Sequence, residues 1–548
     1  MTQSYDFIIV GAGSAGCTLA NRLTENGRYT VLLLEAGGSD KKFWIHVPIG
    51  YGRLYYDRRV NWKYVTQPDK GLAGRADYWP RGKVIGGSSS INAMVYIRGQ
   101  AQDYDDWERA GNPGWGYRDV LPYFMKSEGN ARGGDAYHND KGPLGVSDVE
   151  MHPTVENFYQ GMREMQVPAN PDFNGAVQEG YGPYQLTSKN GRRCSTARAF
   201  LDPARGRKNL TVLDHSDTRR ILFEGKRAVG VEYRRNGQTH VARAGREVIV
   251  SAGAINSPQL LQVSGIGPAE LLQRHGIDLV VDRAGVGRNM QDHLYFGFSY
   301  RTRKPTLNNE LSDWVGQLWA GMKYVFLRKG PLAASINHAG AFVRTRAGLD
   351  RPNMQLYFVP ATYGAGPTVA PLVPVTDNKN LKLDPFSAIT INVSPCRPTS
   401  RGHLEITSSD PSVPPAIYPN SLSTDEDIQE ALEGARYVRR AVTAPGLAAL
   451  IEKELSPWPA DDNDEDAIWR LRQTGRTTYH PTSTCMMGPD PATAVVDHRL
   501  RVYGTEGLRV IDASIMPMMI SGNTNACSIM IGEKGADLVL EDAREARA

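Results

Sequence analysis

The sequence predicts an α/β protein, α+β overall. It reads as a Rossmann-like dinucleotide-binding domain assembled from discontinuous segments, joined to a second domain with an antiparallel sheet and helices. Three observations predict this. The chain opens on a strand, a glycine turn and a helix that lead into a second apolar run ending at Glu35. Short strand-like runs of the same style return at 210–251 and again at 508–511. Between those returns, from about 305 to 470, the pattern shifts to longer helical stretches and proline-punctuated strands.

Taken in order, Asp6 to Val10 is an apolar run of the kind buried on both faces of a parallel sheet. Ser14 to Leu23 has helical spacing with small residues on one side, and Tyr29 to Leu34 is the next strand, which makes a βαβ opening. Leu210 to Leu213, Arg219 to Phe223, Ala228 to Tyr233 and Glu247 to Ser251 read as short strands, followed by a helix from about Ser257. Helices are expected at Trp314 to Leu327 and Asp425 to Val442, and strands at Asn353 to Pro360, Ala388 to Ser394 and Gly402 to Ser408. Prolines at 395, 398, 411, 414, 415 and 419 point to edge strands and loops there. The acidic run Asp461 to Asp466 reads as a solvated loop and the first turn of a helix, where negative charge suits the dipole, and not as a metal site. Leu508 to Ile511 is a strand, and a helix from about Asn525 to Glu541 closes the chain. The expected division is 1–105, 190–300 and 475–548 for the dinucleotide domain, with 106–189 and 301–474 forming the substrate-facing domain.

Composition narrows the class. The 548 residues are 41% hydrophobic and 22% charged, which excludes disordered, collagen-like and coiled-coil chains. A formal net charge of +4, spread along the chain, makes nucleic acid a poor partner. No run approaches the roughly 18 apolar residues of a membrane span, and the N-terminus lacks the features of a cleavable signal. Five scattered cysteines imply no disulfide framework and show no CxxC, and the eleven histidines show no HExxH, so no metal centre is expected. The expected setting is a reducing cytoplasm, with peripheral contact at the inner membrane left open.

Gly11-Ala12-Gly13-Ser14-Ala15-Gly16 is a GxGxxG between strand and helix. Gly11 permits the tight turn, Gly13 lets backbone approach a pyrophosphate, and Gly16 lets the helix pack on the strand. Glu35 follows at the spacing where a carboxylate accepts hydrogen bonds from an adenosine ribose, which argues against a 2′-phosphate but leaves FAD and NAD open. Further on, Gly82-Lys83-Val84-Ile85-Gly86-Gly87-Ser88-Ser89-Ser90-Ile91-Asn92-Ala93 lays glycine-rich backbone beside hydroxyl and amide groups. With Ser251-Ala252-Gly253-Ala254-Ile255-Asn256-Ser257-Pro258, and the tail motifs Tyr479-His480-Pro481 and Gly522-Asn523-Thr524-Asn525, these blocks resemble the glucose–methanol–choline (GMC) oxidoreductases over essentially the whole chain. The choline-dehydrogenase-like alcohol dehydrogenases are the most similar branch.

That resemblance implies FAD and a flavin-facing His–Asn pair, assigned to His480 and Asn523, with Asn525 as the competing amide. It implies cofactor contacts from Gly11, Gly13, Ser14, Ala15, Gly16, Glu35 and Ala36. Gly87, Asn92, Ala93, Val95, Thr218, Asp512 and Ala513 are expected to complete them, while Trp62, Asn337, His338 and Tyr479 are expected at the substrate pocket. Ile91 stands where some relatives carry a flavin-tethering histidine, so non-covalent FAD is expected. Cys527 replaces a proline often found in the family near the start of the last helix. Ala339 occupies a position where choline-specific relatives carry an acid, which favours an uncharged alcohol.

The chemistry suits the pair. An alcohol is about as weak an acid as water, and a neutral imidazole, unperturbed pKa about 6.5, can take its proton near neutral pH. A carboxamide can donate to the developing alkoxide without titrating. The expected reaction converts a primary alcohol to an aldehyde and passes electrons to a quinone, cytochrome or other acceptor. An oxidase using O₂, a choline dehydrogenase and a flavin-containing hydroxynitrile lyase remain alternatives, and oligomeric state is open.

Overall fold

The computed structural model describes residues 3–363, 383–455, 458–459 and 463–545. Strands Gln3–Val10 and Val31–Leu34 flank helix Ser14–Thr24 and pair in parallel, Ile8 opposite Leu32. On the other side Gln3–Val10 pairs in parallel with Gln238–Val250, Ile8 opposite Val248. The full seven-stranded sheet runs Leu210–Leu213, Val31–Leu34, Gln3–Val10, Gln238–Val250, Arg227–Arg235, Ser216–Glu224, and Leu508–Val510 also pairs with Gln238–Val250. One sheet is therefore drawn from three distant pieces of sequence. The near-continuous apolar runs follow from burial on both faces: Phe7, Ile8, Ile9, Val31 and Leu33 are wholly buried.

A second seven-stranded sheet is antiparallel. Its order is Ile451–Glu454, Leu294–Thr302, Ala388–Pro395, Met354–Val359, Ala339–Val343, Gly180–Pro183, with Arg476–Thr477 also on Leu294–Thr302. Helix Asp425–Thr443 packs on it, capped by the Thr424 hydroxyl, which accepts the Asp427 N–H at 3.3 Å. Such a cap contributes about 1 kcal/mol.

Ala388–Pro395 is not the edge strand that the prolines suggested. It lies inside the sheet with partners on both sides, and Pro395 falls beyond the last residue paired with Leu294–Thr302, so no ladder N–H is missed. Strand Gln238–Val250 is also longer than its apolar segment, because neighbours on both sides satisfy its polar half. Asp461 and Asp462 lie outside the described residues; Asn463 caps helix Asp464–Thr474 by accepting the Asp466 N–H at 2.9 Å.

The closing helix Asn525–Glu545 runs along helix Ser14–Thr24. A Cβ on Gly532 would sit 2.9 Å from the Ala15 backbone, and Arg22 pairs with buried Glu533 at 2.7 Å. These contacts carry the C-terminal tail to the glycine turn. No helix among the described residues is long and apolar enough to cross a membrane.

Candidate active site

A cavity of about 810 Å³ lies between the two sheets. Val10, Ser251 and Asp512, at or just past the carboxyl ends of parallel strands, form one side, where open α/β sheets bind ligands. Tyr295, Gly297 and Ser299 face it from the other side, alternate residues on one face of an antiparallel strand.

The glycine turn is shaped by exclusion. Gly11 has φ 101°, and a Cβ there would meet the Ser251 carbonyl at 2.4 Å. A Cβ on Gly16 would stand 1.9 Å from the Gly11 carbonyl, so Gly16 does not line the cavity but permits the helix to close on the turn. Gly13 has no capping side chain, which leaves the first N–H groups of helix Ser14–Thr24 for an anion, with Ser14 and Ala15 on the cavity wall. Glu35 accepts the Ala12 N–H at 3.0 Å and the Gly37 N–H at 2.8 Å. Its burial pushes the carboxyl pKa up to about 7. Ala36 and Thr218 line the same end, and the buried Thr218 hydroxyl has no partner among the described residues.

The serine-rich block closes over this end. Gly87, φ 53°, comes so near the turn that a Cβ would lie 2.7 Å from Gly13 Cα. Asn92, Ala93 and Val95 line the cavity, and the Asn92 side chain is fixed by buried Arg193, which donates to its Oδ1 at 2.8 Å. Asp512 accepts the Gly253 N–H at 2.8 Å and the Ser514 N–H at 2.8 Å, and it lines the cavity with Ala513. A cradle without room for Cβ atoms, an uncapped helix N-terminus, an orphaned hydroxyl and a volume inside the common range of about 300–1,000 Å³ together fit FAD.

At the other end His480 and Asn523 meet. His480 Nε2 is 3.3 Å from Asn523 Nδ2. Gln355 and Tyr357 both donate to Asn523 Oδ1 at 3.4 Å, so the amide turns its NH₂ toward the histidine. Asn525 is elsewhere: its Oδ1 accepts the Ser14 hydroxyl at 2.8 Å. The opposite ring nitrogen, His480 Nδ1, lies 3.0 Å from His293 Nδ1 and 3.0 Å from Thr478 Oγ1.

The tautomers follow by elimination. The Cys396 carbonyl, 2.8 Å from His293 Nε2, can only accept, so neutral His293 carries its proton on Nε2 and offers a lone pair at Nδ1. Burial holds the His293 pKa down to about 4, which keeps it neutral. His480 must then donate from Nδ1, which leaves the lone pair of Nε2 toward the cavity. Burial, with the positive charge of nearby Arg81 adding to it, also holds the His480 pKa well below 6.5.

The loop around His480 is held under strain. Tyr479 and Ser483 have φ 67° and 71°, a region costing roughly 1–2 kcal/mol for a non-glycine residue. The His480 N–H donates to Asp292 at 2.7 Å, Thr477 donates its hydroxyl to the same carboxylate, and Arg81 donates to the Tyr479 carbonyl. Burial raises the Asp292 pKa to about 7. Asp292, His293, Gln355 and Tyr357 escaped the sequence reading. The adjacent Asp–His dipeptide before an apolar strand was the available signal, but nothing local ties it to residue 480.

Trp62, Asn337 and Tyr479 line the cavity, with Trp62 stacked on Tyr64 at 6.0 Å. His338 does not. Strand Ala339–Val343 starts just after it, and its ring is buried on the far side, where Nδ1 accepts the His152 N–H at 3.0 Å. Ala339 is wholly buried in that strand and outside the lining as well.

Two family models, both described as GMC oxidoreductase, match residues 5–295 and 398–532. An alcohol dehydrogenase (acceptor) from Pseudomonas putida is 42% identical over 98% of this chain and 96% of its own length. The mitochondrial choline dehydrogenase of Homo sapiens is 42% identical over 98% of this chain and 90% of its own. Among solved structures, pyridoxine 4-oxidase from Mesorbium loti superposes with TM-score 0.86 at 32% identity, covering 98% of this chain and 99% of that one.

Proposed function

The chain belongs to the GMC oxidoreductase family and is an FAD-dependent alcohol-oxidising enzyme, and from that premise we propose that it converts a primary alcohol to an aldehyde with His480 as general base and Asn523 as donor to the substrate oxygen. Bound FAD supplies the hydride acceptor. The observation that carries the reading is the 3.3 Å approach of His480 Nε2 and Asn523 Nδ2 at the cavity wall, with the other ring nitrogen already committed to His293.

In this reading the hydroxyl oxygen of the alcohol sits between the two groups. His480 takes the proton at Nε2, and the Asn523 NH₂ stabilises the charge left on oxygen, which favours loss of hydride from the adjacent carbon. Ser14, Ala15, Gly87 and Thr218 would hold the dinucleotide, and Ile91 on the cavity wall offers no nucleophile, which supports non-covalent FAD.

The substrate end carries tyrosines with Arg470 and Arg476, while the carboxylates of the lining are Glu35, Asp217 and Asp512 on the dinucleotide side. The positive charges of Arg470 and Arg476 at that end repel a trimethylammonium alcohol, so an uncharged alcohol is favoured over choline. The proposed electron acceptor is a quinone or similar carrier, with O₂ as the alternative. Five buried, unpaired cysteines suit the reducing cytoplasm proposed as its setting.

The test is anaerobic mixing of the yellow holoenzyme with a panel of primary alcohols. Bleaching of the flavin by an uncharged alcohol supports the reading; a flavin unchanged by every alcohol points instead to lyase chemistry. Turnover with a dye acceptor, beside a peroxide assay, separates dehydrogenase from oxidase.

A further inference from the structure

Seven of the fourteen large apolar side chains exposed among the described residues sit on one helix, Trp314–Leu327. Singly scattered apolar residues are ordinary, but a concentration of this kind marks an interaction surface. At about 100° per residue, Trp314, Val325, Leu318, Val315, Phe326 and Trp319 fall within one arc of about 140° that contains no polar side chain. Trp314, Trp319 and Phe326 are 75%, 66% and 78% exposed, whereas Ala320 and Tyr324 on the opposite side are buried against the protein. The helix is therefore apolar outward as well as inward.

Its charge has one sign. From Trp314 to Leu349 the chain contains no Asp or Glu, and the helix and its C-terminal end carry Lys323, Arg328 and Lys329. The neighbouring carboxylates are engaged: Asp313 caps the helix by accepting the Gly316 N–H at 2.7 Å, and Glu150 pairs with Lys323 at 2.7 Å. Arg328 lies over the Tyr324 ring at 4.9 Å, beside Lys329 at the end of the apolar arc.

We propose that helix Trp314–Leu327 is a docking face for an anionic lipid surface, lying in the plane of the bilayer with its aromatic arc among the acyl chains and its terminal cations at the headgroups. Fourteen residues are too few to span a bilayer but suit an interfacial position, where Trp is favoured and basic residues meet anionic lipid. The helix follows Leu307–Ser312, whose Leu307 shares an apolar cluster with Val359 and Ile336 of the cavity wall. Docking would thus hold that wall near the membrane, within reach of lipid-soluble alcohol or acceptor. This last consequence rests on the proposed function, but lipid binding itself does not.

The experiment is co-sedimentation of the full-length holoenzyme with vesicles of phosphatidylglycerol mixed with phosphatidylcholine, and with phosphatidylcholine alone. The wild type should bind the anionic vesicles more tightly, and raised salt should weaken that binding. The double substitution Trp319→Asp with Phe326→Asp should reduce it about tenfold or more. Lys329→Gln should weaken it about fivefold on anionic vesicles and leave phosphatidylcholine unaffected. Both altered side chains of the double variant are exposed, so its flavin-to-protein ratio should match wild type, a readout independent of alcohol chemistry. A wild type that stays in the supernatant, or a double variant that binds equally well, overturns the proposal. So does a wild-type dimer that the double substitution makes monomeric in the absence of vesicle binding, which would assign the face to a second copy of the chain.

Discussion

The Asp292 carboxylate accepts the backbone N–H of His480 at 2.7 Å, and the next residue, His293, meets the ring of the same histidine at 3.0 Å. One dipeptide thus fixes both the backbone and the imidazole of the proposed base. The first contact holds a loop whose neighbour Tyr479 is in the left-handed region; the second decides which ring nitrogen carries the proton.

Removing the base should isolate the chemical step. His480→Ala is expected to slow flavin reduction by alcohol about 100-fold or more with FAD still bound. Anaerobic stopped-flow absorbance measures the rate, and the visible spectrum reports flavin content. Wild-type reduction rates in this variant would remove His480 from the mechanism.

The pH profile follows from the sign of the shift. His480 must be neutral to act, and its pKa is held well below 6.5, so protonation that silences it begins only under more acid conditions. The limb that belongs to His480 should therefore lie below 6.5, whereas a step near 7 belongs to Asp292, whose pKa burial raises to about 7, and should vanish in Asp292→Asn. An acid limb at or above 6.5 that persists in Asp292→Asn contradicts the burial argument.

His293 is predicted to act by positioning. In His293→Ala the Nδ1–H of His480 loses one of its two partners, keeping only the Thr478 hydroxyl, and the ring gains room for water. The rate should drop about tenfold, a loss like that of one hydrogen bond to a neutral group, and the acid limb should move up toward 6.5. His293→Asn, whose carbonyl can still accept from Nδ1, should recover part of the rate. If the limb stays in place in His293→Ala, a purely structural role is the better account.

Glu35→Ala removes the acceptor for the Ala12 and Gly37 N–H groups. The purified variant should hold less FAD per chain, and the alcohol dependence of the flavin-loaded fraction should be unchanged. Flavin-to-protein ratio and equilibrium dialysis check the first part, and steady-state KM checks the second.

Gly16→Ala would force a methyl to 1.9 Å from the Gly11 carbonyl, so helix Ser14–Thr24 must back away from the turn. Destabilisation of about 3 kcal/mol is expected, seen as a lowered melting temperature with early flavin release.

Legible in the order of residues alone were the first βαβ unit, the glycine turn, the placement of Glu35 and the extent of helix Trp314–Leu327. Such features depend on short-range rules: which residues tolerate φ 101°, which leave room for a close backbone, and which apolar spacing suits a helix or a buried strand. The residue order also nominated His480 and Asn523, 43 residues apart, through motifs rather than contacts. What the tertiary structure decided was which side chains meet. Packing of the two sheets turned Asn523, and not Asn525, to His480, carried His293 to it across 187 residues, and set His338 behind the cavity wall. Proline spacing could not reveal that Ala388–Pro395 is interior, because strand order arises from pairing between distant segments. A ring's tautomer is likewise absent from any local pattern, since it is imposed here by a single carbonyl, that of Cys396, brought in by the fold.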